Sequence, residues 1–171
     1  MVETARLIIK PLNYEQLLKY LRVDNSLEQE FDLHDSARSL SPSLKEAFEQ
    51  SFLPNVADQT KNYLFFTLWT VIDKEERRMV ADLCFTGEPN SEGEIEIGYG
   101  TYENQRGKGY ISEAVGGMVE WTKSQQGIKA IIASTEKTNI ASYKVLQKNN
   151  FIRTDENELL YHWKLLLDRN G

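Results

Sequence analysis

Cysteine is nearly absent from this sequence. Cys84 is the one thiol, so no internal disulfide can form and a disulfide-stapled scaffold is excluded. It lies in an apolar, strand-like run and reads as a buried structural thiol rather than a nucleophile. Histidine is scarce too. His34 and His162 are far apart, and no cluster of Cys, His and carboxylates has metal-ligand spacing, so no metal is expected. His162, between Tyr161 and Trp163, reads as strand packing. Apolar runs are short of the ~20 residues a membrane span needs. The opening Met-Val-Glu-Thr-Ala-Arg lacks the charged and apolar regions of a signal peptide. A cytoplasmic protein with no membrane partner is expected. Positive charge is in deficit at a formal net charge of −6, which argues against a general nucleic-acid-binding surface. No repeat, low-complexity segment or linker breaks the 171 residues, so 1–171 is expected to form a single domain of mixed α/β type.

What is present centres on Glu94–Ala114. From Glu94 to Thr101 the residues alternate, with Ile95, Ile97, Tyr99 and Thr101 on one face and Glu94, Glu96, Gly98 and Gly100 on the other, the period of a strand. Two glycines inside a strand cost stability and mark a bulge or a close approach to the backbone. Further on, Ile111, Ala114, Val115, Met118, Val119 and Thr122 recur as the stripe of an amphipathic helix, closed by Gln126-Gly127.

Between strand and helix lies Arg106-Gly107-Lys108-Gly109-Tyr110-Ile111. Its glycines permit positive φ and turn successive amide N–H groups into a concave nest. The nest stands at a helix N-terminus, where unpaired N–H groups and the helix dipole favour an anion, and Arg106 and Lys108 add two cations. A pyrophosphate suits it, each charge-assisted bond being worth ~1.5–3 kcal/mol. Other phosphate loops fail on spacing. A Walker loop needs glycine where Tyr102 stands and Ser or Thr where Gly109 stands. A dinucleotide fingerprint starting at Gly107 needs glycine where Ser112 stands.

The rest of the chain alternates strand and helix signals. Ala5–Lys10 reads as a strand stopped by Pro11, and Asn13 as the cap of a helix to about Val23. The acid-rich stretch 28–35 reads as a solvated face, or as an acidic mouth that attracts an ammonium. Ser41-Pro42 opens a second helix, with Pro54 shortly after its end. Tyr63–Ile72 reads as a long strand, Asp73–Arg77 as a turn and Met79–Phe85 as the hairpin partner. Thr86–Gly93 is a loop. Ala130–Ala133 reads as a strand covered on both faces, Asn139 as the cap of a helix to Asn149, and Phe151-Ile152 and Leu159–Leu167 as the last strands. Trp69 and Trp121 read as core.

The segment Arg106–Ile111 resembles the [Q/R]-x-x-G-x-[G/A] acyl-CoA loop of the GNAT superfamily of N-acetyltransferases, with Ile111 at the final Gly/Ala position and Glu96-Ile97-Gly98-Tyr99 ahead of it. Thr138–Leu146 followed by Asn150-Phe151 is similar to the N-x-x-S-x-x-V-L…G-F segment of the branch that includes ribosomal-protein N-terminal acetyltransferases. The resemblance runs through the whole chain. It implies an α+β acyl-CoA N-acyltransferase fold, a mixed, mostly antiparallel sheet of about seven strands with about four helices. It also implies transfer of an acetyl group from acetyl-CoA, as co-substrate, to a primary amine by direct attack on the thioester. Acetyl-CoA would then be held by Tyr99, Gly100, Thr101, Arg106, Gly107, Lys108, Gly109, Tyr110, Ile111, Asn139 and Ser142. Glu96 would be the general base, with Glu94 as its rival. The tyrosine acid that many members place four residues after Ser142 is Leu146 here, which leaves Ser142, Tyr143 or water to protonate the leaving thiolate. A homodimer remains open, and the rival reading is a non-catalytic acyl-CoA-binding or sensing module on the same fold.

Overall fold

The structure is a computed structural model that describes residues 1–168. The strands are β1 Val2–Glu3, β2 Leu7–Pro11, β3 Leu68–Asp73, β4 Arg78–Phe85, β5 Glu94–Thr101, β6 Ala130–Glu136, β7 Ile152–Glu156 and β8 Leu160–Leu166. They form one eight-stranded sheet in the order β1-β2-β3-β4-β5-β6-β8-β7. All neighbours are antiparallel except β5 and β6, which run parallel. Helices α1 Tyr14–Arg22, α2 Ser26–Glu30, α3 Pro42–Ala47 and α4 Leu53–Ala57 cover one face, and α5 Tyr110–Lys123 and α6 Ile140–Lys148 the other. The expected mixed, mostly antiparallel sheet is present, with β1 added at its edge.

Strand alternation sorts the side chains into two cores. Leu83 and Phe85 of β4, Ile95 and Ile97 of β5 and Trp69 of β3 pack with Val115 and Met118 of α5. On the opposite face Leu68 and Ile72 meet Leu17 and Tyr20 of α1 and Phe48 and Phe52. Val80 and Ala81 both join the α5 side because a bulge lets Val71 pair with Ala81 and Ile72 with Met79. Trp121 closes an aromatic cluster, 5.2 Å from Trp69 and 5.7 Å from Phe85.

Several local expectations change. Pro11 lies within β2, opposite Trp69. It is tolerated because β1 pairs only with Ile8 and Ile9, so the strand is an edge at that point. Residues Tyr63–Phe65 form a 3-10 turn, not strand. Asn62 caps it by accepting from the Leu64 N–H at 3.2 Å, and the ladder starts at Leu68. Pro54 lies inside the second helix rather than beyond it. Phe48–Phe52 is a π turn closed by the Leu53 N–H on the Phe48 carbonyl, and this wider turn admits the proline ring without an α-type clash. Asn13 does cap α1, in a reciprocal pair with Gln16.

Candidate active site

The parallel pairing of β5 with β6 covers only Glu94 with Ala130, Ile95 with Ile131 and Glu96 with Ile132. Beyond those pairs β5 follows β4 as far as Thr101 opposite Ala81, and β6 follows β8 as far as Glu136 opposite Leu160. The two strands therefore part like a fork, and β5 from Ile97 to Thr101 keeps one backbone edge free of a ladder. Such an edge can pair with an extended amide-bearing chain. Tyr99 and Ser142 meet across the fork: the Tyr99 hydroxyl donates to the Ser142 carbonyl at 2.8 Å, and the Ser142 hydroxyl lies 3.4 Å from it. Asn139 caps α6 by accepting from the Ser142 N–H at 3.1 Å. Burial raises the Tyr99 pKa, so its hydroxyl keeps its proton at neutral pH. Tyr143 is half-buried, stacked on Trp163 and set edge-on to Tyr161.

The loop at the open end of the fork has the expected form. Gly107 and Gly109 take φ of 80° and 78°, and Gly109 precedes α5, whose N-terminus carries no side-chain cap. The first α5 amides are thus available to an anion. A Cβ on Gly107 would meet nothing within 4 Å, so the space beside the loop is open. Arg106 reaches an adjacent cavity, while Lys108 Nζ donates to Gln105 at 2.8 Å. Tyr110 is buried and donates to Asp73 at 2.5 Å, which pushes its pKa up to about 12, and Lys108 Nζ stands 5.9 Å from its ring centre. Ile111 packs against the core.

Arg6, which carries no motif, holds this loop. Its Nη1 donates to the Lys108 carbonyl at 3.0 Å, and its Nε meets Glu113 at 2.7 Å. Thr4 donates to the same carboxylate at 2.5 Å. Glu113 is thereby held below the usual carboxylate range against its partial burial, chiefly by the Thr4 and Arg6 hydrogen bonds. The only sequence signal was a charged residue at the start of a strand.

A cavity of about 630 Å³ opens between the sheet and the α1–α3 side, beside the fork. Gly98 and Gly100 lie in its wall opposite Cys84 and Asp82 of β4, so the two strand glycines keep this face of β5 clear. The Tyr20 hydroxyl donates to Asp82 Oδ2, and Tyr102 donates to Oδ1 at 3.2 Å. Burial pushes Asp82 up to about 6, against the pull of the Tyr20 hydrogen bond and the Arg38 charge. Cys84 is half-buried and lines the cavity, a correction to a purely interior thiol. Burial first, then Asp82 and Glu96, drive its pKa up to about 12, so it is no thiolate nucleophile. Asp82 was legible only as the one charged residue in the run Met79–Phe85.

The acid-rich stretch is not an acidic mouth. Glu28 is 1% exposed and pairs with Arg38 at 3.1 Å, Glu30 meets Lys19 at 2.7 Å, and Asp32 meets Arg77 at 2.6 Å. These three charges are already matched, and Asp35 meets Arg78 through its backbone carbonyl. Of the two strand glutamates, Glu94 is bound to Lys164 at 2.6 Å, and that hydrogen bond first, then Asn90, holds it below its usual range. The Glu96 carboxylate has no hydrogen-bond or ion-pair partner among the described residues; it stands at the vertex of the fork but outside the cavity lining. His162 faces Ser134 across β6 and β8 at 2.9 Å. Among the described residues no His, Cys and carboxylate group could hold a metal, and no helix is long and apolar enough to cross a membrane.

Comparison with known proteins agrees with this architecture. Residues 6–152 match the acetyltransferase (GNAT) domain. An uncharacterized N-acetyltransferase of Bacillus subtilis, YjdG, is 34% identical over 98 residues, 57% of this chain and 58% of that protein. Another from Bacillus licheniformis, p20, is 30% identical over 83 residues, 48% of this chain and 47% of that one. The chain thus spans about half the length of the curated relatives it matches. Among solved structures, the ribosomal-protein-S5-alanine acetyltransferase of Vibrio fischeri superposes with a TM-score of 0.70 at 18% identity, covering 97% of this chain and 96% of that one. The spermidine N-acetyltransferase of Vibrio cholerae, in complex with CoA and spermine, gives 0.67 at 10% identity over 97% and 98%. The fork, the glycine loop before an uncapped helix and the matched domain lead to one assignment: the chain belongs to the GNAT acetyltransferase family.

Proposed function

We propose that the protein transfers an acetyl group from acetyl-CoA to a primary amine by direct attack on the thioester. The observation that carries this is the fork beside the open, uncapped start of α5. The two features offer a backbone edge to the pantetheine amides and a cationic N–H nest to the pyrophosphate. In this reading Arg106, Gly107, Lys108 and Gly109, with the Tyr110 and Ile111 backbone, hold the pyrophosphate. Tyr99, Gly100 and Thr101 hold the pantetheine, beside Asn139 and Ser142. A protonated amine cannot attack a thioester, so a carboxylate must take its proton. Glu96 at the vertex and Asp82 in the cavity share one sheet face, and the transfer reading stands with either. In this reading Ser142, whose hydroxyl lies 3.4 Å from that of Tyr99, gives a proton to the leaving sulfur.

The test is calorimetry with acetyl-CoA, followed by thiol release over a panel of amines. Micromolar binding is expected. Gly107→Val should abolish it, because a β-branched side chain at φ of 80° strains the turn and fills the open space beside it. Undiminished affinity in that variant would remove the loop from the site. Binding without thiol release for any amine would leave the non-catalytic acyl-CoA-binding reading in its place.

A further inference from the structure

We infer that the cavity beside the fork is the acceptor site, and that Asp82 is the residue that receives the acceptor ammonium and takes its proton, with Tyr20 and Tyr102 as co-ligands. This rests on the transfer reading and deepens it. The cavity volume of about 630 Å³ lies in the range of small-ligand sites. Four charged side chains line it: Arg38 is paired with Glu28, Glu103 and Arg106 are exposed, and the Asp82 carboxylate is the unpaired charge of its part-buried wall. Each Asp82 oxygen accepts one phenol hydroxyl and retains acceptor capacity, as do the phenol oxygens themselves. An ammonium group can therefore replace its water shell with oxygens already in position. Apolar walls from Leu44, Phe52 and Leu68 suit a short alkyl stem behind it.

Glu96 fits this task less well. Asp82 stands opposite Gly100, four residues from Glu96 on β5, roughly 14 Å along the strand at ~3.4 Å per residue. Asp82 lines the cavity and Glu96 does not. Asp82 also has the proton affinity the role needs, near 6, low enough to be ionised at neutral pH and high enough to accept a proton. The groups that set it are Tyr20 from α1, Tyr102 beyond β5, Arg38 from the segment between α2 and α3, and Cys84 on β4 itself. Glu103 and Arg106 stand farther out along the lining.

The step balances. The acceptor enters as an ammonium, and one of its protons passes to Asp82. The nitrogen lone pair then forms the C–N bond to the acetyl carbon, and the C–S bond breaks with its electron pair to sulfur. A second nitrogen proton ends on that sulfur as the CoA thiol, the third stays on the amide, and Asp82 releases its proton to water.

The experiment follows thiol release with acetyl-CoA and two probe sets: n-propylamine to n-hexylamine, and short peptides with a free N-terminus. Calorimetry with acetyl-CoA runs alongside for every variant. Wild type should show kcat/KM rising with pH through a limb near 6. Asp82→Asn should lose at least ~10²-fold in kcat/KM and lose that limb, with acetyl-CoA affinity retained. Tyr102→Phe removes a hydrogen bond to the carboxylate and should move the limb to higher pH, a response that a purely structural Asp82 would not give. Alkylamine turnover exceeding peptide turnover assigns the cavity to free amines, and the reverse assigns it to chain termini; both support the site. An Asp82→Asn enzyme within threefold of wild type, a wild-type profile with no limb near 6, or an unmoved limb in Tyr102→Phe overturns the inference while leaving the transfer reading intact. Bound acetyl-CoA with no turnover of any probe by wild type overturns both.

Discussion

Removing Arg38 should cost more than removing any surface cation. Its side chain is 2% exposed and Glu28 opposite is 1% exposed, so water screens neither charge. Arg38 Nη2 meets Glu28 Oε1 at 3.1 Å, Nη1 donates to the Tyr20 carbonyl at 2.6 Å, and the guanidinium lies 4.0 Å over the Tyr20 ring. Arg38→Met keeps much of the stem but strands a buried carboxylate, whose Oε2 already has no hydrogen-bond partner. Breaking such a pair costs about 3–5 kcal/mol. For a chain of this size that corresponds to a fall of roughly 6–20 °C in Tm. Equilibrium unfolding in urea measures it directly. The double variant Glu28→Leu/Arg38→Met should recover most of the loss, because it removes both charges and both desolvation costs. Lys123→Met, which breaks the exposed pair with Glu120, sets the surface scale at below about 1 kcal/mol. A cost for Arg38→Met no larger than that of Lys123→Met would show that water reaches the pair, and would refute the account of Glu28 as a buried charge.

Asp82 makes stability depend on pH in a definite direction. Its folded pKa of about 6 exceeds the ordinary 3.8, so the native state binds the extra proton between those values and wild-type stability falls as pH rises through that window. The advantage of Asp82→Asn over wild type in urea unfolding should therefore grow from pH 4 to pH 7, by about 1.4 kcal/mol for each unit of pKa elevation; an unchanged difference would show an ordinary carboxylate. Cys84, with its thiol pushed up to about 12, should react with iodoacetamide at pH 8 at least ~10²-fold more slowly than free cysteine, and an equal rate would show a thiolate in the cavity. Gly117→Val should lose about 1–3 kcal/mol in thermal unfolding, because a Cβ there would stand 2.7 Å from Thr4 Cγ2; no loss would show that β1 yields freely.

The parts of the fold legible in the sequence were those set by local chemistry. The alternation of Glu94–Thr101 gave β5 its bounds, the Gly107 and Gly109 turn took the positive φ that only glycine adopts cheaply, and Asn13 and Asn139 capped their helices as their side chains allow. Errors arose where a neighbour in space decided. The aromatic density of Tyr63–Phe66 suits a strand or a packed turn equally, and the Asn62 cap with the Thr67 hydroxyl on the Leu12 carbonyl selected the turn. Pro54 read as a stop because a widened turn upstream leaves no single-residue signature. Glu30, Asp32 and Asp35 are exposed as a solvated face would have them, and Glu28 alone departs, because Arg38 becomes its buried partner only on folding.

The candidate site divides along the same line. Its anion-binding half is contiguous in sequence, so one stretch of glycines and cations displays it. The half inferred to take the acceptor is a cavity lined by Tyr20, Arg38, Asp82 and Tyr102, each on a different segment, and no spacing rule joins them. Gly98 and Gly100 are the link between the halves. One edge of β5 is left without a partner by the fork, and one face is left without side chains by these glycines. The first condition suits a bound extended chain, and the second opens the wall opposite Cys84 and Asp82. A strand built only for stability would carry β-branched residues at both positions. Glycine at both positions is what the transfer reading asks for, with two ligands meeting at one stretch of backbone from different sides.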